Sequence, residues 1–335
     1  MLKPLFGGLV VSSLALLEPM AAAAAPAPYS ISEITVPGSP RTIVSALNER
    51  GQVAGSYFYG DIHWAPFVYH QGSFTYPDNL GTDVMQSAGI NEAGHIVGTY
   101  YPTPGGRPRG FAWIKGATRD IGDLDSTDAF GTAIDQRDIA YGESNGHAFA
   151  SFGGHVLDLG AWPDGDTVIT KVNAAGVAVG YIRGYDTIQA FMATPWSHTI
   201  LPTLGGESAF ALDINEQGVV CGEADTRKGL SHAYRYQDGA MTDLGTLSGG
   251  RTSRARAVNN AGDIVGNSNS GTARGQRAMI VRHESGVMED LNTLANAKPQ
   301  GWKLEYALDI NDRGEIIGSG HRAGRPAVFL LTPRP

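Results

Sequence analysis

The stretch Asp213–Gly250, DINEQGVVCGEADTRKGLSHAYRYQDGAMTDLGTLSGG, decides the fold. It opens with an aliphatic residue and an amide, Ile214-Asn215, followed three residues later by Gly218 and seven residues later by Gly222. An Asn-x-x-Gly segment between apolar runs is a hairpin signal: the Asn side chain starts the turn, and Gly accepts the left-handed backbone at its end. The runs His232-Ala233-Tyr234 and Asp243-Leu244-Gly245-Thr246-Leu247 follow, each short and bounded by turn residues. The stretch therefore reads as four short strands, a to d.

The same pattern recurs. Leu47-Asn48, Ile90-Asn91, Ile134-Asp135, Val172-Asn173, Val258-Asn259 and Ile310-Asn311 give seven copies with Ile214-Asn215. Asp138 replaces the first glycine in the third copy, whereas the second is Gly55, Gly98, Gly142, Gly180, Gly222, Gly266 and Gly318 without exception. A glycine inside a strand marks a bulge or a close backbone approach. The mean period of about 44 residues is the size of a four-stranded propeller blade. The last copy lacks strand d, and Ser30–Val36 aligns with the d runs, so the chain is expected to be an all-β, seven-bladed β-propeller whose ring is closed by that N-terminal strand. An open solenoid of four-stranded units is the alternative.

Lys3, the apolar run Leu5–Leu17 and the alanines 21–25 have the layout of a secretory signal peptide, expected over 1–25, with one propeller domain over 26–335. The apolar run is too short to span a bilayer. With the single Cys221 there is no internal disulfide, and Cys221 is expected to be buried. The net charge of −8 argues against nucleic-acid partners. The combination of Ile-Asn-x-x-Gly, Val-x-Gly, His-Ala-Phe and Asp-Leu-Gly-Thr-Leu-x-Gly-Gly resembles the bacterial extracellular HAF-repeat family across the whole mature chain. The resemblance implies a secreted or periplasmic propeller-like protein; it supplies no catalytic residue.

The b-to-c and d-to-a loops share one face and vary in length, which is where binding residues sit on a rigid scaffold. Tyr57, Tyr59, Trp64, Tyr100, Tyr101, Trp162, Tyr185 and Trp302 fall there and suit stacking on sugar rings. Residues 1–170 carry 8 Lys and Arg against 17 Asp and Glu, while residues 171–335 carry 17 against 16, so the negative charge belongs to the first half. Asp123, Asp125, Asp128, Asp164 and Asp166 are the candidate calcium ligands or glycosidase carboxylates, with solvated loop charges as the plainer reading. Arg251 and Arg254, in an arc with Arg227, Lys228, Arg274, Lys303 and Arg322, suit an acidic polysaccharide. His63 and His321, with Arg322, form the candidate catalytic set of a polysaccharide lyase.

Other signals have structural explanations. Gly142-Glu143-Ser144-Asn145-Gly146 matches a nucleophile elbow by chance, because Gly142 is already the blade glycine. His147 and His232 are expected to make structural hydrogen bonds at the start of strand c. Asp213, Asp309 and Lys171, each two residues before the turn Asn or Asp, are expected to pair at blade interfaces. The leading expectation is a monomeric binding module for an extracellular glycan or small ligand, with no required cofactor; a lyase or glycoside hydrolase, and an envelope interaction scaffold, are the alternatives.

Overall fold

The computed structural model of the chain describes residues 28–60, 63–103, 105–161, 165–194, 197–271 and 273–334. The expected signal peptide lies outside them. The strands fall into seven four-stranded antiparallel sheets, each following chain order a-b-c-d except the last. Strands a are Arg41–Leu47, Met85–Ile90, Ala129–Ile134, Asp166–Val172, Gly205–Ile214, Ser253–Val258 and Trp302–Ile310 in blades 1 to 7. The last sheet takes its fourth strand from the other end of the chain: Tyr29–Glu33 pairs antiparallel with Arg325–Pro333, from Tyr29 opposite Pro333 to Glu33 opposite Phe329. This is a closed seven-bladed β-propeller. The closing strand is shorter than the expected Ser30–Val36 at its far end, although Ile34 and Val36 remain buried.

Each Asn does more than begin its turn. Asn215 Oδ1 accepts from the backbone N–H of Gln217 and Val219, and Gly218 closes the turn at φ +78°. The amide N–H₂ then reaches sideways and donates to the carbonyl of the equivalent residue in the next blade. Asn48 donates to Asn91, Asn91 to Asp135, Asn173 to Asn215, Asn215 to Asn259, Asn259 to Asn311 and Asn311 back to Asn48, at 2.9–3.2 Å. A carboxylate has no proton to give, so Asp135 cannot continue the ladder into blade 4; its oxygens take Arg137 and the turn N–H groups instead. Asp138 stands in for glycine at φ +64°, and its carboxylate accepts from Asn91 Nδ2 and contacts His95 Nδ1 at 2.6 Å.

Every strand a carries a register shift beside its blade glycine, such as that between Ala211 and Asp213 opposite Gly222. The extra residue at each shift, Ser45, Ala88, Thr132, Thr170, Leu212, Arg256 and Leu308, lines a small axial cavity of about 120 Å³. Apolar clusters fill the spaces between blades, and Cys221 lies fully buried in one of them. Among the described residues no helix is long and apolar enough to cross a membrane.

At the outer side, the His or Arg two residues before the buried aromatic or Met of strand c reaches an Asp of strand d. His147 meets Asp158 and His232 meets Asp243 at 3.0 Å, Arg109 meets Asp120 at 2.5 Å, and Arg277 pairs with Asp290. The same carboxylates accept the N–H of the following turn, as at Gly122, Gly160 and Gly245. The histidines of the His-Ala-Phe-type motifs are thus structural ties between neighbouring strands, as their repeat position suggests.

Candidate functional site

On the variable-loop face, blade 1 gathers the densest set of aromatic rings. Strand pairing sets Tyr57 opposite Ala65 and Tyr59 opposite His63, so these side chains share a sheet face. Phe74, Tyr76, Tyr57, Tyr59 and His63 form a continuous ladder with successive centroids 6.2, 5.4, 5.7 and 5.1 Å apart. Tyr76 is 47 % exposed, and Tyr57, Tyr59 and His63 are half-buried. On the opposite sheet face Trp64 packs edge-on against Phe58 at 5.3 Å with the Arg41 guanidinium over its ring at 5.6 Å. Burial and the neighbouring tyrosines raise the Tyr57 hydroxyl above its ordinary pKa, so it stays a hydrogen-bond donor at neutral pH.

The other ring candidates disperse. Tyr100 is buried, bonded through its hydroxyl to Asp120 at 2.5 Å, and pushed up to about 12 mainly by that burial. Trp302 is only 5 % exposed and packs edge-on against Phe329 in the core of blade 7. Both are corrections to the expected ring of surface aromatics: their strands turn these side chains inward. Tyr101 is half-buried and Tyr185 fully exposed. Trp162 and Asp164 lie outside the described residues, as does the side chain of Arg274.

The charged candidates are mostly engaged. Asp123 takes Arg109 at 2.5 Å, Asp166 lies 3.9 Å from Arg183, and Asp125 and Asp128 are exposed. Among the described residues no three His, Cys, Asp or Glu side chains converge as metal ligands. Arg254 pairs with Glu223 at 2.5 Å and covers the Phe210 ring, while Arg251 is exposed. His63 lies 3.7 Å from Asp83, whereas His321 Nδ1 meets Glu305 at 2.9 Å; no hydrogen bond or ion pair joins the two histidines among the described residues. Arg322 is consecutive with His321 on one strand, pairs with Glu33 at 2.7 Å and lies over Trp302. Ser144 of the elbow-like motif is fully buried, and its Oγ accepts from Leu124 N–H.

The opposite face, made by the a-to-b turns, holds a second constellation. The residue after each turn Asn or Asp is Glu49, Glu92, Gln136, Ala174, Glu216, Asn260 or Asp312. Their side chains form a collar, each accepting the backbone N–H of its counterpart in the preceding blade: Glu92 from Glu49, Gln136 from Glu92, Glu216 from Ala174, Asn260 from Glu216, Asp312 from Asn260 and Glu49 from Asp312. Ala174 has no side-chain oxygen, so the collar breaks between blades 3 and 4, the junction where Asp135 also interrupts the amide ladder. The collar surrounds a funnel of about 360 Å³ whose lining continues inward to Lys171, Asp213 and Asp309. Asp309 accepts from the Leu47 and Ile310 N–H groups and Asp213 Oδ2 from Val258 N–H, which anchors both carboxylates across blade interfaces. The expected pairing of these residues is present, with Lys171 Nζ 3.7 Å from Asp213 Oδ1.

Burial pushes the Glu49 carboxyl up to about 7, with Asp312, Glu92 and Asp309 adding repulsion, against a lowering bond from the Asp312 N–H. A carboxyl raised on folding favours the folded state below its ordinary value of 4.5 and loses that advantage as pH rises through 7. Glu49→Gln keeps an oxygen for the Asp312 N–H and removes the titration. Its melting temperature is therefore expected to match the wild type near pH 4.5 and to exceed it by pH 8; parallel melting curves across that range contradict this assignment.

No family model matches the chain, and no curated protein matches it. Solved structures do. Virginiamycin B lyase from Staphylococcus aureus superposes with a TM-score of 0.55 at 10 % identity, over 91 % of this chain and 100 % of that one. A puromycin-hydrolyzing peptidase from Mycobacterium tuberculosis gives 0.59 at 12 % identity over 92 % of this chain and 54 % of that one, and the acylaminoacyl peptidase of Pyrococcus horikoshii gives 0.53 at 11 % over 89 % and 53 %. The chain thus spans about half the length of the two peptidases and the whole of the lyase. At these identities the likeness is one of fold alone, and the fold it supports is the β-propeller.

Proposed function

We propose that this propeller is an exported binding module of the HAF-repeat kind that holds an extracellular glycan against blade 1. The observation that carries the reading is the ladder from Phe74 through Tyr76, Tyr57 and Tyr59 to His63, aligned at 5.1–6.2 Å, with Tyr76 47 % exposed and Tyr57, Tyr59 and His63 half-buried. Rings fixed at the end of a rigid strand pair offer flat apolar faces and hydroxyls at little entropic cost, which suits the alternating C–H and O–H surfaces of a sugar. Screening the mature protein on a glycan array and then titrating the best binder gives the test. Tyr57→Ala/Tyr59→Ala is expected to weaken binding by about tenfold or more, each ring contact contributing about 0.5–1.5 kcal/mol, whereas Tyr185→Ala leaves it unchanged. An array without binders, or full affinity in the double variant, overturns the reading.

A second reading, elimination from a uronate polymer, is favoured by one arrangement. His321, 42 % exposed, is oriented by Glu305, and Glu305 also pairs with Lys303 at 2.5 Å, giving a histidine base beside a cation. Incubating the same glycan panel with wild-type protein separates the two: a growing ultraviolet absorbance from a new carbon–carbon double bond supports the lyase, and unchanged spectra remove it.

A further inference from the structure

The junctions between blades are not packed alike. In strand c the residue after the buried aromatic or Met faces the next blade, and the one after that faces the preceding blade. Large side chains meet there at three junctions: Met192 with Tyr236 between blades 4 and 5, Ile280 with Leu331 between blades 6 and 7, and Leu330 with Tyr69 across the ring closure. Two junctions bring small residues to these positions instead, Ala112 with Ser151 between blades 2 and 3, and Ala150 with Ala193 between blades 3 and 4. The first of these is filled by Ile114 and Ile121, which are 6 % and 4 % exposed. Phe152 and Leu159 hold the same two positions of the repeat in blade 3, yet they are 47 % and 43 % exposed, with Leu157 beside them at 53 %.

The result is a cleft of about 520 Å³ between blades 3 and 4, with the buried side chains of Ile169 and Phe191 in its lining. Large apolar side chains left open around a cavity of this size mark a binding site rather than ordinary surface. The same junction is where both rings of hydrogen bonds lapse, at Asp135 in the amide ladder and at Ala174 in the collar. Its two walls are therefore joined by fewer cross-ties near the axis.

The lining also sets the chemistry of an occupant. Among the described residues it holds no carboxylate; its basic side chains are the exposed His198 and Arg137, and Asp135 already holds Arg137 through Nε and Nη2 at 3.0 and 2.8 Å. A charged ligand would lose its water there without gaining a free counter-charge, so the fit is to a neutral molecule. Alanines stand on both opposed sheet faces, Ala150 on one and Ala178 and Ala193 on the other, which leaves a slot, and Tyr141, Phe152 and Phe191 place rings along it. A rigid ring system makes stacked or edge contacts across such a slot, whereas a flexible chain gives up rotamer freedom to do so.

We infer that the cleft between blades 3 and 4 binds a neutral, planar aromatic molecule, which takes the place of the side-chain volume that Met192 and Tyr236 supply one junction further on. The site is remote from the ladder of blade 1 and does not depend on the glycan reading. Fluorescence titration of the mature protein with N-phenylnaphthylamine tests the inference against anilinonaphthalenesulfonate, which adds a sulfonate to the same rings, and against competition by decanol. The neutral probe is expected to bind one-to-one, and the other two at least about tenfold more weakly. Ala150→Met installs the residue that blade 4 carries at this position of the repeat. It is expected to weaken the neutral probe by about tenfold or more, with the melting temperature unchanged or raised. Tyr57→Ala/Tyr59→Ala is expected to leave probe affinity intact. No saturable signal, equal affinity for the sulfonate or for decanol, or full affinity in Ala150→Met overturns the inference, whatever the glycan array shows for the ladder. A dimer on size-exclusion chromatography that excludes the probe also overturns it, by assigning the cleft to a second copy of the chain.

Discussion

Deleting Tyr29–Val36 is expected to abolish the cooperative thermal transition of the propeller and leave a self-associating chain. The segment supplies the fourth strand of blade 7, with a continuous ladder from Tyr29–Pro333 to Glu33–Phe329 and a further bond from Ile34 N–H to Val328. Tyr29, Ile34 and Val36 are 1–3 % exposed. Ile34 and Val36 fill the cluster with Val44, Phe67, Ile317 and Val328, the wall between the last blade and the first. Tyr29 packs with Leu304 and Phe329, and its hydroxyl accepts from Arg282 of blade 6 at 3.1 Å. Burying each such side chain contributes about 1.5–3 kcal/mol, so three of them rival the whole net stability of an ordinary domain, about 5–15 kcal/mol. The loss also uncovers the edge of Arg325–Pro333, a nine-residue strand with free backbone donors and acceptors. Circular dichroism on heating and size-exclusion chromatography check both consequences. A monomeric deletion variant melting within about 5 °C of wild type shows that the ring does not need its clasp.

That closure was legible in sequence because a missing strand d and a spare one at the other terminus are both local patterns. The turn role of Asn48 and its six counterparts was legible for the same reason. The sideways half of their work was not, since Asn215 Nδ2 donates to a carbonyl 44 residues away and nothing within one repeat reveals that partner. The collar did leave a trace: an acid or amide follows the turn Asn or Asp in six of seven copies, with Ala174 the exception. Variation marks a loop that binds, whereas uniformity is what a ring of equivalent side chains around an axis requires. Surface aromatics leave no such trace. Tyr57 and Tyr100 both stand two residues after the blade glycine of a strand b, but Tyr57 meets other rings at the rim while Tyr100 turns into the space between blades, where Asp120 takes its hydroxyl. Which way a strand end faces is set by twist and bulges, and a residue list does not contain them.

The blade glycines give the sharpest contrast between two positions that look equally constant. Gly222→Ala is expected to destabilise the protein by about 3 kcal/mol or more, lowering the melting temperature by roughly 5–10 °C. A Cβ at Gly222 would stand 1.9 Å from the carbonyl oxygen of Phe210 and 3.0 Å from the Tyr234 ring. That oxygen belongs to strand a, whose position is fixed beside its own bulge at the axis and by Asp213 bonding into blade 6, so the backbone has no inexpensive way to retreat. The same approach recurs at Gly55, Gly98, Gly142, Gly180, Gly266 and Gly318, where the nearest backbone oxygen lies at 1.9–2.4 Å. Gly218→Ala is a different perturbation. Its Cβ would meet nothing within 4 Å, and only the left-handed backbone at φ +78° resists, a cost of about 1–2 kcal/mol. The chain already demonstrates the distinction: Asp138 tolerates φ +64° at the turn position of blade 3, while no side chain occupies the strand position in any blade. Urea unfolding of the two single variants measures the difference, and equal losses at Gly218 and Gly222 indicate that backbone conformation, rather than contact with the neighbouring strand, keeps both positions glycine.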